Sequence, residues 1–203
     1  MFADRIDAAK QLAEKLSSFK GENVVVLGLP RGGVPVAAEV ARALGAPLDI
    51  IIVRKLGAPG DPEFAIGAIS EGGEEVLERE VENEYLESEK KTQQERIRAY
   101  AEKFRRDRGM LDLSGKTAVL VDDGIATGAT MRAAIKAAKG RGASRVIVAT
   151  PVAAPDTIER IKQEADEVVV LEKPAYFMAV GQFYADFPQV SDEEVVRLLE
   201  QRE

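Results

Sequence analysis

Two adjacent aspartates are the residues of this sequence best placed to do chemistry. Asp122 and Asp123 directly follow the apolar run 117–121, and a loop of small residues, 124–128, comes next. A short Val-rich run predicts a buried strand, and open α/β sheets bind ligands where such strands end. Paired carboxylates can accept hydrogen bonds from vicinal hydroxyls or hold a magnesium-bound water. This acid pair therefore predicts a site for a sugar, a magnesium ion or both.

The loop after the acid pair predicts an anion site. Its last residues are small or carry a hydroxyl, and a helical pattern follows them; they are Ala126, Thr127, Gly128, Ala129 and Thr130. We call residues 124–130 the cradle loop. Backbone N–H groups at a helix N-terminus, together with two hydroxyls, can surround a phosphate monoester. The acid pair and the cradle loop together favour a sugar phosphate as ligand.

A second loop with anion-binding character follows the first predicted strand. Arg31, Gly32 and Gly33 stand between the apolar run 24–29 and another helical pattern. The two glycines allow backbone N–H groups to approach an anion closely, and Arg31 offers a charged fork. We call residues 30–33 the Arg31 loop and predict that it forms a second anion site.

These two loops carry a family resemblance. Residues 119–130 resemble the phosphoribosyl pyrophosphate signature of type I phosphoribosyltransferases: apolar strand residues, two acids, then Thr-Gly-x-Thr. The Arg31 loop is similar to the short pyrophosphate loop of that family. The resemblance implies transfer of phosphoribosyl from phosphoribosyl pyrophosphate to a nitrogen acceptor, a nucleobase, with release of pyrophosphate. It also implies Asp122, Asp123 and Arg31 as catalytic residues and a Mg²⁺ cofactor held by the two aspartates.

A basic pair resembles the 6-oxopurine branch of the family. Arg54 and Lys55 follow the second apolar run, as a basic pair near the pyrophosphate and the dimer contact does in that branch. They are equally typical of solvent-exposed residues that end a strand. Thr150-Pro151 stands where the branch has a lysine that reads the 6-oxo group, which argues against a 6-oxopurine acceptor.

The hood, residues 172–190, is similar to the base-binding segment of the same branch. It holds five of the eleven Phe and Tyr residues of the chain. The resemblance implies that Phe177 stacks on the base and that Asp186 is its acidic companion. Aromatic residues at this density are also typical of a hydrophobic core.

The composition excludes several kinds of enzyme. The 203 residues include neither Cys nor His, which rules out thiol nucleophiles, His-containing triads and ordinary zinc hydrolases. The reaction that the resemblance implies passes through an oxocarbenium-like state and needs no protein nucleophile. A formal charge of −7 gives no broad cationic field for a polynucleotide backbone. Two alternatives stay open: a regulator that binds phosphoribosyl pyrophosphate or a nucleotide without turnover, and a ribose-phosphate hydrolase.

Five short apolar runs, which alternate with helical patterns, predict the strands and helices that position these loops. The runs are 24–29, 49–53, 117–121, 145–152 and 167–171. Such alternation predicts an α/β fold, an open and mostly parallel twisted sheet with helices on both faces. This agrees with the fold that the resemblance implies. We expect residues 1–203 to form one domain with a small hood.

A charged segment interrupts this rhythm. Residues 64–70 predict a further strand, and residues 71–108, rich in Glu, Lys, Arg and Gln, predict an inserted exposed helix with one narrow apolar stripe. The stripe consists of Ile97, Tyr100, Ala101 and Phe104. The alternative interpretation of residues 71–84 is a mobile lid over the site.

The chain has no sequence signal for a membrane. No apolar run approaches the ~20 residues that span a bilayer, and residues 1–8 lack an apolar signal core. We expect a cytoplasmic protein that binds small molecules and neither membrane nor nucleic acid. The resemblance alone implies a homodimer.

Overall fold

The computed structural model describes residues 1–106 and 108–201, without the side chains of residues 62 and 63. The strands are β1 (Val24–Gly28), β2 (Leu48–Ile50), β3 (Val53–Ala58), β4 (Asp61–Ser70), β5 (Glu75–Leu77), β6 (Thr117–Val121), β7 (Arg145–Val152) and β8 (Glu167–Glu172). The helices are α1 (Arg5–Lys15), α2 (Gly33–Leu44), α3 (Asn83–Arg105), α4 (Ala129–Gly140), α5 (Pro155–Lys162) and α6 (Asp192–Glu200). None of these helices is long and apolar enough to cross a bilayer.

The central sheet confirms the predicted α/β fold. Over the described residues its strands run parallel in the order β2-β1-β6-β7-β8. Val24 and Val26 of β1 pack into one hydrophobic core with α1 and α2, whereas Val25 and Leu27 pack into a second core with α4 and α5. Because side chains alternate between the two faces of a strand, these Val-rich runs are buried on both sides.

The second apolar run belongs to two sheets. β2 ends at Ile50, and Val53 already begins β3, which pairs antiparallel with β4 in a small sheet of order β3-β4-β5. Arg54 and Lys55, predicted to follow the second long strand of the main sheet, therefore lie at the start of β3. The apolar character of the run correctly indicates that Ile51 and Ile52 are buried. The apolar character does not indicate that Ile50 belongs to the main sheet while Val53 belongs to the small one.

The inserted segment contains the predicted helix and an additional strand. In α3, Leu86, Ile97 and Phe104 pack against the main core. Residues 75–77, expected to belong to the inserted helix or, in the alternative interpretation, to a mobile lid, form β5 instead, and Val76 packs with Ala129 of α4. This part of the segment supports the helix that follows the cradle loop. The lid function of residues 71–84 stays a prediction.

A buried ion network joins α3 to the main sheet. The guanidinium of Arg105 donates to Glu71 at 2.6 Å, to Asp49 at 3.3 Å and to the carbonyl of Ile50 at 2.8 Å. The Arg105, Asp49 and Glu71 side chains are 5%, 0% and 7% exposed. The network therefore fixes the end of α3 and the end of β4 against β2.

We expect Arg105→Gln to lower the free energy of unfolding by about 3 kcal/mol, because removal of one partner leaves buried carboxylates uncompensated. Arg42→Gln is the matched control. Arg42 is 63% exposed and pairs with Glu39 on the surface of α2, so its loss changes stability by less than about 1 kcal/mol. Chemical denaturation measures both variants, and equal effects would contradict the role given to the network.

Candidate functional site

The acid pair lies at the carboxyl end of β6, beside the end of β1. Asp123 is 8% exposed and Asp122 is half-buried. The backbone N–H of Asp123 donates to Oδ1 of Asp122 at 2.9 Å, and the hydroxyl of Tyr184 donates to the carbonyl of Asp123 at 2.6 Å. The bond from Tyr184 ties the hood to the backbone of the pair and helps to fix it.

The two carboxylates disturb each other electrostatically. Burial raises the pKa of Asp122 well above its ordinary value, and the charge of Asp123 raises it further. Burial also raises the pKa of Asp123, although a hydrogen bond from Arg5 opposes that shift. A site that holds two carboxylates so close together is prepared for hydroxyl donors or a cation, which would relieve the repulsion.

The Arg31 loop packs directly on the acid pair. The N–H of Leu29 donates to the carbonyl of Val121 at 2.9 Å, which extends the pairing of β1 and β6 into the loop. A Cβ atom on Gly32 would lie 2.1 Å from Oδ2 of Asp123, and one on Gly33 would lie 2.6 Å from the carbonyl oxygen of Val121. Only glycine allows so close an approach.

The structure changes the role predicted for Gly33. Its N–H, which we expected to face an anion, donates to the carbonyl of Leu29 at 3.0 Å. Gly33 therefore allows the backbone of the Arg31 loop to lie close to the backbone at Val121. Arg31 remains beside the acid pair, with a partly exposed side chain whose Nη1 lies 3.4 Å from Oδ1 of Asp192, and the peptide bond before it is cis.

The cradle loop leads into the N-terminus of α4 as predicted. Gly128 precedes the helix with φ at +84°, a conformation that favours glycine, and a Cβ there would lie 2.6 Å from the Thr157 side chain. The Thr157 hydroxyl donates to the carbonyl of Ala126 at 2.6 Å and holds the loop in place. Thr127 is exposed at the mouth of the loop.

The helices that begin at these two loops have no side-chain cap. In α1 and α6, Asp4 and Ser191 accept a hydrogen bond from the first turn, but no side chain does so in α2 or α4. The first backbone N–H groups of a helix need partners from outside the helix. An anionic ligand can supply them at the start of α4.

Three cavities surround the loops at this edge of the sheet. One of about 510 Å³ adjoins the acid pair and is lined by Arg5, Arg31, Gly32, Asp123, Val180, Phe187, Pro188, Gln189 and Val190. We call it the acid-pair cavity. A second of about 490 Å³ has both Pro30 and Thr130 in its wall, and a third of about 610 Å³ has Thr127 and Ala129 in its wall. The two predicted anion loops thus open onto the same side of the molecule.

The basic pair of β3 divides between two environments. The Arg54 side chain turns toward α3, where Nε lies 3.4 Å from Oε1 of Gln93 and the guanidinium lies 5.2 Å from the ring centre of Tyr100. Lys55 is exposed and lines both the cavity at Thr130 and the cavity at Thr127. Arg54 lines the cavity at Thr130 as well, and Lys55 is the one of the two that also lines the cavity at Thr127.

The hood presents a different aromatic residue to the acid pair from the one predicted. Phe177 packs on Phe183, with ring centres 5.0 Å apart, and does not line the acid-pair cavity. Asp186 is exposed, and its backbone N–H donates to the carbonyl of Ala3. Phe187 lines the cavity instead. The composition indicates an aromatic cluster, but only the fold determines which ring faces the site.

Arg5 is the site residue that the sequence does not reveal. Its Nε donates to Oδ2 of Asp123 at 2.8 Å, and both side chains are almost fully buried. In the sequence, Arg5 is one charge in an amphipathic stretch, a setting typical of solvent-exposed residues. A contact between residues so far apart in the chain leaves no local signal.

The acid pair fits a magnesium ion bound mostly by water and substrate. Across residues 1–106 and 108–201, no group of three or more acidic side chains could hold a metal by itself. Mg²⁺ usually keeps several waters and takes one or two carboxylates together with substrate phosphates. Asp122 and Asp123 suit that mode of binding.

Comparison with known proteins shows the family of this chain. Residues 2–187 match the family model of the phosphoribosyl transferase domain. The chain belongs to this family. It is 50% identical over 206 residues to a Mycobacterium tuberculosis (strain CDC 1551 / Oshkosh) protein named "Putative phosphoribosyl transferase". That alignment covers 98% of this chain and 46% of the relative, so the chain spans about half of the relative's length.

Solved structures agree with the phosphoribosyl transferase fold. A Thermus thermophilus protein superposes with a TM-score of 0.86 at 51% identity, covering 98% of this chain and 97% of its own. A hypoxanthine phosphoribosyltransferase from Staphylococcus aureus superposes with a TM-score of 0.51 at 14% identity, over 85% of this chain and 74% of its own. The second likeness concerns the fold alone. The family and the α/β fold expected from the sequence are confirmed.

We expect Asp122→Asn to raise the stability of this phosphoribosyl transferase domain at neutral pH. Because the folded pKa of Asp122 is raised, its carboxylate opposes folding above that pKa. The advantage of the variant therefore shrinks as the pH falls through the folded pKa and is lost below the unfolded value of about 3.9. Denaturant unfolding between about pH 7 and pH 4 measures the difference.

Asp112→Asn provides a control of opposite sign. The N–H of Ser114 lowers the pKa of the exposed Asp112 carboxylate, so the charged form supports folding and the variant loses stability at neutral pH. A lower stability of Asp122→Asn at neutral pH would contradict the electrostatic picture of the acid pair.

Proposed function

We propose that this protein transfers a phosphoribosyl group from phosphoribosyl pyrophosphate to a nitrogen acceptor and releases pyrophosphate. The supporting observation is the placement of two anion loops on either side of one acid pair, at one edge of a parallel sheet. In this arrangement the cradle loop binds the 5-phosphate, the acid pair binds the ribose hydroxyls, and the Arg31 loop binds the pyrophosphate. Family membership supports the same assignment.

Catalysis in this proposal consists of holding the donor and stabilising the departing pyrophosphate. The N-terminal N–H groups of α4, together with Thr127 and Thr130, fix the 5-phosphate and thereby the anomeric carbon. Arg31 and the backbone of Gly32 stabilise the negative charge that develops on pyrophosphate. The acid pair would hold a Mg²⁺ that keeps several of its waters, and the ion would supply positive charge to the departing pyrophosphate. The chain contributes no covalent nucleophile.

The acceptor belongs in the acid-pair cavity. Val180 and Phe187 give that cavity an apolar wall next to the position of the ribose, which suits a flat nucleobase. Thr150 is fully buried, and its hydroxyl lies 3.3 Å from the carbonyl of Val152, so it cannot replace the lysine that reads a 6-oxo group. We therefore propose a nucleobase acceptor without assigning a purine. A cytoplasmic location and a homodimer belong to the same proposal.

A screen of acceptors tests the activity. The purified protein is incubated with phosphoribosyl pyrophosphate, Mg²⁺ and a panel of purines, pyrimidines and amines, while pyrophosphate release and product mass are followed. Release that depends on an acceptor supports the transferase. Donor binding without release would indicate the regulator, and release without any acceptor would indicate the hydrolase.

We expect Arg31→Ala to weaken the binding of pyrophosphate about tenfold or more, because a hydrogen bond to a charged group contributes roughly 1.5–3 kcal/mol. The affinity for ribose 5-phosphate changes little, since that ligand binds at the cradle loop. Calorimetry with each ligand in the presence of Mg²⁺ measures the two effects. Arg42→Ala, an exposed change on the helix that follows the Arg31 loop, is the control. Equal losses for both ligands would contradict the placement of Arg31.

A further inference from the structure

Arg5 joins three parts of the site through one buried side chain. Its Nε donates to Oδ2 of Asp123 at 2.8 Å, and its Nη1 donates to the carbonyl of Pro188 at 2.7 Å. The guanidinium carbon lies 3.7 Å from the ring centre of Phe187. Arg5 is 8% exposed and lines the acid-pair cavity, and it also binds Asp123 of the acid pair.

The backbone around Arg5 is fixed to the hood. The N–H of Phe2 donates to the carbonyl of Phe183, and the carbonyl of Phe2 accepts from the N–H of Ala185, each at 2.8 Å. The side chain of Asp4 caps α1 directly before Arg5. These bonds hold the first turn of α1 so that the guanidinium points at Asp123.

Arg5 reduces the electrostatic repulsion between the acid pair and an anionic ligand of the proposed site. A pentose that carries a phosphate and a pyrophosphate is strongly anionic, and two neighbouring carboxylates would repel it. Arg5 cancels the charge of Asp123, whereas no cation among residues 1–106 and 108–201 forms an ion pair with Asp122. Among the described residues, the acid pair therefore presents one carboxylate with a buried ion-pair partner and one without such a partner.

We propose that Arg5 is a donor-positioning residue that gives the two aspartates different tasks, an inference that rests on the proposed function. Arg5 holds Asp123 with one oxygen engaged, so that the other oxygen can accept a hydrogen bond from a ribose hydroxyl. It also removes the repulsion between this carboxylate and the pyrophosphate beside Gly32. Asp122 remains the carboxylate available to Mg²⁺.

The test uses three variants and two probes. Ribose 5-phosphate and inorganic pyrophosphate are titrated calorimetrically, in the presence of Mg²⁺, into wild type, Arg5→Gln, Asp123→Asn and the double variant Arg5→Gln/Asp123→Asn. The double variant restores the charge balance and is the form expected to fold if Arg5→Gln alone does not. Arg105→Gln is the control for general destabilisation, because Arg105 is similarly buried but lies in the ion network of α3.

The proposal predicts a split between the two probes. Arg5→Gln weakens both by about tenfold or more, since an uncompensated carboxylate repels each anion. The double variant recovers pyrophosphate binding to within about threefold of wild type but not ribose 5-phosphate binding, because the carboxylate that accepts the ribose hydroxyl is gone. Arg105→Gln binds both probes as wild type does.

Two results would overturn the assignment in different ways. If wild type binds both probes and Arg5→Gln, or the double variant in its place, binds them equally well, Arg5 has only a structural role while the proposed function stands. If wild type binds neither probe, nor phosphoribosyl pyrophosphate, the proposed function fails and the role of Arg5 fails with it.

Discussion

The parallel pairing of β1 with β6 is the constraint on which the site depends. Its register sets Gly28 opposite Val121, and the bond from Leu29 to Val121 continues it for one further residue. Both strands end at this point: β1 continues into the Arg31 loop, and β6 continues into the acid pair. They remain so close that Gly32 has no space for a side chain. The distance between the Arg31 loop and the acid pair is thus set by backbone hydrogen bonds, which buried strands must form.

The remaining architecture supports this junction from two sides. On one side, the small antiparallel sheet packs Val76 against the first residues of α4, and the Arg105 network holds that sheet and α3 to β2. On the other side, the hood reaches the acid pair through Tyr184 and through the Arg5–Phe187 stack. The acid pair and the cradle loop are neighbours in the sequence, but their geometry depends on elements distant in the chain.

The features predicted correctly from the sequence are those encoded by neighbouring residues. The strand before Asp122 and the helix that begins in the cradle loop each follow from one short stretch of residues, so local sequence determines them. The sequence was misleading where one apolar run serves two sheets, at residues 49–53, and where a glycine could be explained by either an anion or a backbone contact, at Gly33. Arg5 could not be predicted, because a residue of a type usually exposed is here buried as the partner of Asp123, and the aromatic content of the hood did not indicate that Phe187 is the ring that lines the cavity. Such long-range pairings leave no periodicity to read.

The attachment of Phe2 to the extended backbone at Tyr184 has a consequence for how the protein is made. Phe2 leaves the ribosome long before residues 183–185, so its hydrogen bonds with them can form only late in synthesis. Closing so long a loop is slow compared with forming neighbouring strand and helix units. A nascent chain would pair β1 with β6 first and complete the wall of the acid-pair cavity only after residues 180–190 emerge. Synthesis that stops before residue 184 would leave the carbonyl of Phe2 without the N–H of Ala185 and the acid-pair cavity without residues 187–190 of its wall.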